Sequence, residues 1–143
     1  MKADKFLFVI ALLILIASIV LYIHKVKTPP VTVLPAATNT DVQVYTPAPN
    51  QQIQSPVTIQ GKARGTWFFE ASFPVKIVDA NGKELGHASA STKESWMTSE
   101  YVTFGASLKF EFPTTQTGTI ILQNDNPSGL EANAKEVRIP VSF

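Results

Sequence analysis

The side chains able to do chemistry are few, and most fall in three short stretches. Trp67, Phe68 and Phe69 stand in succession, with Arg64 before them and Glu70 after. Consecutive aromatic rings supply large, amphipathic contact area, the kind that recognises a glycan or a protein partner. In a regular strand side chains alternate, so Trp67 and Phe69 would share one face and Phe68 the other. Either one ring then lies outside the main core, or the group plugs one end of the fold. Trp96, beside Met97, is a further candidate, again either packed or at a rim. Asp125 and Asn126, followed by Pro127, Ser128 and Gly129, offer a carboxylate and an amide. Calcium takes roughly six to eight oxygens, so this set is thin, and the same residues are ordinary turn formers. Arg64 is expected to pair with Glu70 or with Asp125, bracing the loops at one end. A surface pair of little energetic value is the plainer alternative.

Catalytic, metal and cofactor chemistry find no constellation to work with. The chain has no cysteine, which removes thiolate nucleophiles, thiolate metal sites, disulfides and a lipoprotein anchor. Of its two histidines, His24 sits beside a hydrophobic run, leaving His87 alone in the rest of the chain. A lone imidazole without a second histidine or a cysteine does not make a zinc site, and no nucleophile elbow accompanies it. No catalytic residue, metal or cofactor is therefore expected. The formal charge of +1 is a composite. Lys2, Lys5, Lys25 and Lys27 flank the hydrophobic run, whereas from residue 28 onward eight Lys and Arg face ten Asp and Glu. There is no basic stripe, so a nucleic-acid partner is not expected.

The elements that must position these residues begin after that run. Residues 6–23 are 18 uncharged, almost wholly apolar residues. As a helix they span about 27 Å, against about 30 Å of bilayer hydrocarbon. Tyr22 suits the interface at one end. The run exceeds the roughly 7–15 residues of a cleavable signal core, and no small-x-small site follows it. Residues 1–27 are thus expected to form an uncleaved single-pass membrane anchor, a cleaved signal being the alternative. Lysines on both sides nearly tie the positive-inside rule, while the short tail favours an inward N-terminus. Residues 28–41 contain Pro29, Pro30 and Pro35 and read as an extended spacer.

From residue 42 to 143 the pattern alternates with period two. Segments 42–45, 57–61, 73–79, 84–90, 102–112, 117–123 and 137–143 each read as a strand, with turn residues between. Asn81-Gly82 marks a hairpin, expected as a type I′ turn with positive φ at both residues. Pro140, pointing away from the core without a donor, suits an edge or a bulge. About seven strands at this spacing predict an all-β antiparallel sandwich.

Particular strings carry a resemblance. They are Gly61-Lys62-Ala63-Arg64-Gly65-Thr66-Trp67-Phe68-Phe69-Glu70-Ala71-Ser72-Phe73-Pro74-Val75, then Asp79-Ala80-Asn81-Gly82-Lys83-Glu84-Leu85, Trp96-Met97-Thr98, Asp125-Asn126-Pro127-Ser128-Gly129-Leu130 and Ile139-Pro140-Val141-Ser142-Phe143. In this order, residues 42–143 resemble the immunoglobulin-like domain of bacterial spore germination. Glu94-Ser95 stands where that family usually has Gly-Asp, and residues 131–135 depart from its acidic-polar run. The resemblance implies an extracytoplasmic immunoglobulin-like sandwich at the bacterial cell envelope, with no implied catalytic activity or ligand. The expected function is a membrane-tethered binding module for another protein or a cell-wall polymer. The alternative is a structural spacer that self-associates through edge strands.

Overall fold

The computed structural model describes the backbone of Ala37–Thr38 and residues 41–143. The run 6–23 and most of the stretch 28–41 lie outside the described residues, among which no helix is long and apolar enough to cross a membrane. The strands are β1 (Ala37–Thr38), β2 (Val42–Thr46), β3 (Gln51–Gln52), β4 (Val57–Arg64), β5 (Ser72–Asp79), β6 (Glu84–Ser91), β7 (Tyr101–Leu108), β8 (Thr117–Gln123) and β9 (Glu136–Ser142). The longer ones fall where the alternation placed them. The two-residue β1 pairs with β2 from within the stretch read as spacer.

The strands hydrogen-bond in the order β1-β2-β4-β7-β6-β5-β8-β9-β3. β6 and β7 share one register pair, Ser91↔Gly105, and there the sheet curls over on itself. The β1-β2-β4-β7 half then faces the β6-β5-β8-β9-β3 half, giving the immunoglobulin-like sandwich. Period-two patterning fills the space between. Val57, Ile59 and Ala63 of β4 and Val102, Phe104, Ala106 and Leu108 of β7 meet Val75 and Ile77 of β5, Ile120 and Leu122 of β8, and Val137, Ile139 and Val141 of β9. Each Val, Ile, Leu or Phe among them contributes about 1.5–3 kcal/mol through burial. With no disulfide to help, an aromatic seam reinforces the packing. Phe73 meets Trp67, Phe68 and Phe104 edge-on, with ring centroids 5.8, 5.1 and 4.9 Å away. Such pairs add about 0.5–1.5 kcal/mol each beyond burial.

Two local expectations are corrected. The β5–β6 hairpin exists, but Asn81 does not take positive φ; Gly82 alone does, at 82°. The buried Asp79 carboxylate accepts the N–H groups of Asn81 and Lys83, both at 2.9 Å. Gly82 N–H also bonds to Asp79 O at 3.0 Å. These bonds fix a three-residue loop with a glycine bulge in place of a two-residue type I′ turn. β7 ends at Leu108, not at residue 112, because its partner β4 begins at Val57 and offers no ladder beyond. Phe110 N–H turns to Ser55 Oγ and Glu111 N–H to Leu85 O, at 2.9 Å each, carrying the chain across toward β6. Phe112 therefore leaves the core face and is 93% exposed.

Candidate functional site

Three loops gather at one end of the sandwich: residues 65–71 between β4 and β5, 92–100 between β6 and β7, and 124–135 between β8 and β9. Strand register sets this, since Arg64 pairs with Tyr101, Ser72 with Ser91, and Gln123 with Glu136. The loops are tied together through backbone. Asp125 N–H bonds to Trp67 O at 2.9 Å, Thr92 N–H to Ala71 O at 3.0 Å, and Gly65 N–H to Glu100 O at 3.0 Å. A Cβ on Gly65 would come within 2.1 Å of Thr98 O and 2.2 Å of Trp96 O, so only glycine lets the first two loops approach this closely.

The aromatic triple is not a strand. Gly65–Trp67 forms a 3₁₀ turn, so successive rings do not alternate. Trp67, with no exposed surface, and Phe68 both enter the core. Phe69 emerges instead, 44% exposed, at the head of a tight turn closed by Phe69 N–H to Ser72 O at 3.0 Å and Ser72 N–H to Phe69 O at 3.1 Å. Its central residues, Glu70 and Ala71, hold φ of 50° and 62°. This is the left-handed pair that a two-residue hairpin needs, formed without the usual Asn or Gly.

The other two loops repeat the arrangement. Met97 is 80% exposed at the centre of a γ-turn, with Thr98 N–H bonded to Trp96 O at 2.8 Å. Trp96 beside it is half-buried and packs against the core. Leu130 is 62% exposed, and its backbone is fixed on both sides. Its N–H donates to Ser128 Oγ at 3.3 Å, and its carbonyl accepts Asn126 Nδ2 at 2.8 Å and Asn133 N–H at 3.0 Å. Asn126 thus serves the turn, also accepting Ser128 Oγ–H at 2.6 Å. The loop 124–135 borders a shallow polar cleft of about 370 Å³ lined by Thr66, Asn124, Asp125, Asn126, Ser128 and Lys135 among others.

Arg64 braces this end, though not through the partners expected for it. Its Nη1 donates to Ser99 O at 3.3 Å and lies 3.8 Å from Glu100 Oε2, while its guanidinium stands 4.1 Å from the Tyr101 ring centroid. No ion pair joins it to Glu70 or to Asp125 among the described residues. The tighter pair is Lys135 Nζ to Asp41 Oδ2, at 2.7 Å. The hydrogen bond from Lys135 holds the Asp41 carboxyl below its ordinary pKa against the opposing effect of burial, with lesser help from the Trp67 indole and the Arg64 charge. The buried Trp67 N–H lacks a hydrogen bond of normal geometry, so its influence on Asp41 is that of a nearby dipole.

The opposite end carries a feature that the alternation concealed. Phe112, released from the core, borders a cleft of about 620 Å³ with Ile53, Phe110, Pro113 and Phe143. Met97, Leu130 and Phe112 are the exposed residues that sequence reasoning did not single out. For Met97 and Leu130 the signal lay in their position inside motifs rich in turn residues.

No group of three or more histidine, cysteine, aspartate or glutamate residues that could hold a metal ion occurs among the described residues. His87, fully on the outer face of β6, bonds through Nδ1 to Glu84 Oε1 at 2.9 Å. The family model of the immunoglobulin-like domain of bacterial spore germination matches residues 41–131. No curated protein and no solved structure matches the chain.

Proposed function

This chain belongs to the immunoglobulin-like domain family of bacterial spore germination, and from that premise we propose that it is a non-catalytic recognition module of the bacterial cell envelope. In this reading residues 6–23 tether it to the membrane, residues 28–36 space it, and the sandwich stands outside the cytoplasm. It binds another protein or a cell-wall polymer through the loop end.

One observation carries the reading. Each of the three loops holds one large apolar side chain in water (Phe69, Met97, Leu130), and each does so from a hydrogen-bonded turn. Preorganised apolar contacts lower the ordering cost of association, and such anchors supply most binding energy at interfaces. Self-association through sheet edges is the second reading, since β3 covers only Val141 and Ser142 of β9 and β6 and β7 share a single register pair, which leaves edge ladder open.

The test is site-directed photocrosslinking in intact cells. A photoreactive residue replaces Met97 or Leu130, with Ser89 on the outer face of β6 as the control position. Discrete adducts from 97 and 130 but not from 89 support a binding face at the loop end. Equal or absent labelling at all three positions removes it. Protease shaving of the same cells reads the location, since loss of the domain before lysis is expected of an outward-facing sandwich.

A further inference from the structure

Resting on the binding-face reading above, we infer that the partner at the loop end is a basic polypeptide segment carrying apolar side chains. The charge around the apolar tips points there. Loops 65–71, 92–100 and 124–135 contain the carboxylates of Glu70, Glu94, Glu100, Asp125 and Glu131, against the ammonium groups of Lys93 and Lys135. Lys135 is already engaged by Asp41 at 2.7 Å, and Arg64 at the end of β4 offsets Glu100 at 3.8 Å, which leaves Glu70, Glu94, Asp125 and Glu131 against Lys93. Over residues 41–143 as a whole the acids exceed the bases by only two, so the imbalance is concentrated at this end.

The carboxylates also sit beside the anchors. Glu70 follows Phe69, and Glu131 follows Leu130. Both are exposed, and neither joins an ion pair among the described residues. Asp125 is half-buried, gives its backbone N–H to Trp67 O and likewise has no ion-pair partner among the described residues. Apolar prongs rimmed by uncompensated carboxylates repel an anionic polymer or an anionic lipid surface and attract Lys or Arg beside apolar residues. The tight turns fix where prong and charge stand relative to each other, which confers register as well as attraction.

The sequence supplies a local probe. Its two methionines are Met1 and Met97, so a chain labelled with ¹³C at the methionine methyls gives one signal on the binding face and one far from it in sequence. The full-length chain, held in neutral detergent, is titrated with three short peptides of one pattern: Lys alternating with Leu, Glu alternating with Leu, and Ser alternating with Leu. The lysine peptide is expected to move the Met97 methyl saturably, with an affinity that falls as salt rises, while Met1 stays put. The variant Glu70→Gln/Glu131→Gln is expected to weaken it roughly two- to fivefold per carboxylate, as for exposed charge pairs. If the serine peptide moves Met97 as strongly as the lysine peptide, the charge inference fails and the apolar binding face stands. Preference for the glutamate peptide places an anionic partner there and overturns the inference. If no peptide moves Met97, the binding face falls together with it.

Discussion

The turn at Glu70-Ala71 should be costly, and replacing it should stabilise the domain. Both residues lie in the left-handed region, at φ of 50° and 62°. For an L-residue with a Cβ this costs about 1–2 kcal/mol. Asparagine at 70 recovers part of that penalty. Glycine at 71 recovers all of it but returns about 0.5–1 kcal/mol as unfolded-chain entropy. The double variant Glu70→Asn/Ala71→Gly should therefore be more stable by about 1–2 kcal/mol. For a domain of roughly one hundred residues that is a rise in Tm of about 5–10 °C. The assay is thermal unfolding of the full chain followed by tryptophan fluorescence, since Trp67 is wholly buried and reports opening of the core. Ala71→Val is the opposing control, because a β-branched residue fits this region poorly and should lower Tm. An unchanged or lowered Tm in the double variant would refute the reasoning. Glu70→Asn also removes a carboxylate from the rim, so it should weaken the lysine peptide, whereas Ala71→Gly alone should not.

Phe73→Ala removes the centre of the aromatic seam, with its contacts to Trp67, Phe68 and Phe104, and should cost about 3–5 kcal/mol, read as a lower urea midpoint. Gly65→Ala drives a methyl into the Trp96 and Thr98 carbonyls and should cost about 1–3 kcal/mol; faster exchange of the amide at position 65, which bonds to Glu100 O in the wild type, would show the first two loops separating. Asp41→Asn breaks the ion pair with Lys135 and should cost about 0.5–1 kcal/mol at neutral pH. Because the Asp41 pKa is lowered in the folded chain, this contribution is present above the unfolded value near 3.8 and is lost as pH falls through the folded value. The gap between wild type and Asp41→Asn should therefore close in acid, and a gap that persisted below the folded pKa would contradict the assignment.

The sandwich was legible because its signal is redundant. Most long strands write their inward face as alternating apolar residues, so a single misread residue does not lose an element; β6, which buries only Leu85 and Ala90, is the exception. Boundaries were less legible where the pairing partner decides them. The alternation of β7 runs on through Phe110 and Phe112, yet the strand stops at Leu108 because its partner β4 begins opposite it, at Val57. The hairpin at Asn81-Gly82 was marked by its glycine, but the turn type depends on Asp79, whose carboxylate caps Asn81 and Lys83. At the loop end the rings were visible and their destinations were not. One 3₁₀ turn sends Trp67 and Phe68 inward together and Phe69 out, an outcome period two does not allow. The ion pairing of Arg64 was equally out of reach, since Ser99, Glu100 and Tyr101 come beside it through the β4–β7 register rather than through sequence proximity.

The energetics of the loop end favour the proposed recognition role over mere spacing. Two adjacent left-handed residues cost about 2–4 kcal/mol, a sizeable share of the roughly 5–15 kcal/mol that keeps a domain folded. A core repays such strain when it buries what the strain positions. Here the turn leaves Phe69 partly in water, and the γ-turn at Met97 and the capped loop at Leu130 leave their side chains there more fully. The core repays part of the strain at Glu70-Ala71, since that turn brings Phe68 and Phe73 together with ring centroids 5.1 Å apart, but folding gains little from the exposed tips themselves, which the proposed partner would cover. A spacer has no use for that arrangement. A module that meets its partner with three rigid apolar tips and a carboxylate rim does, and relaxing the turn with Ala71→Gly while keeping Phe69 separates the cost of the device from its use.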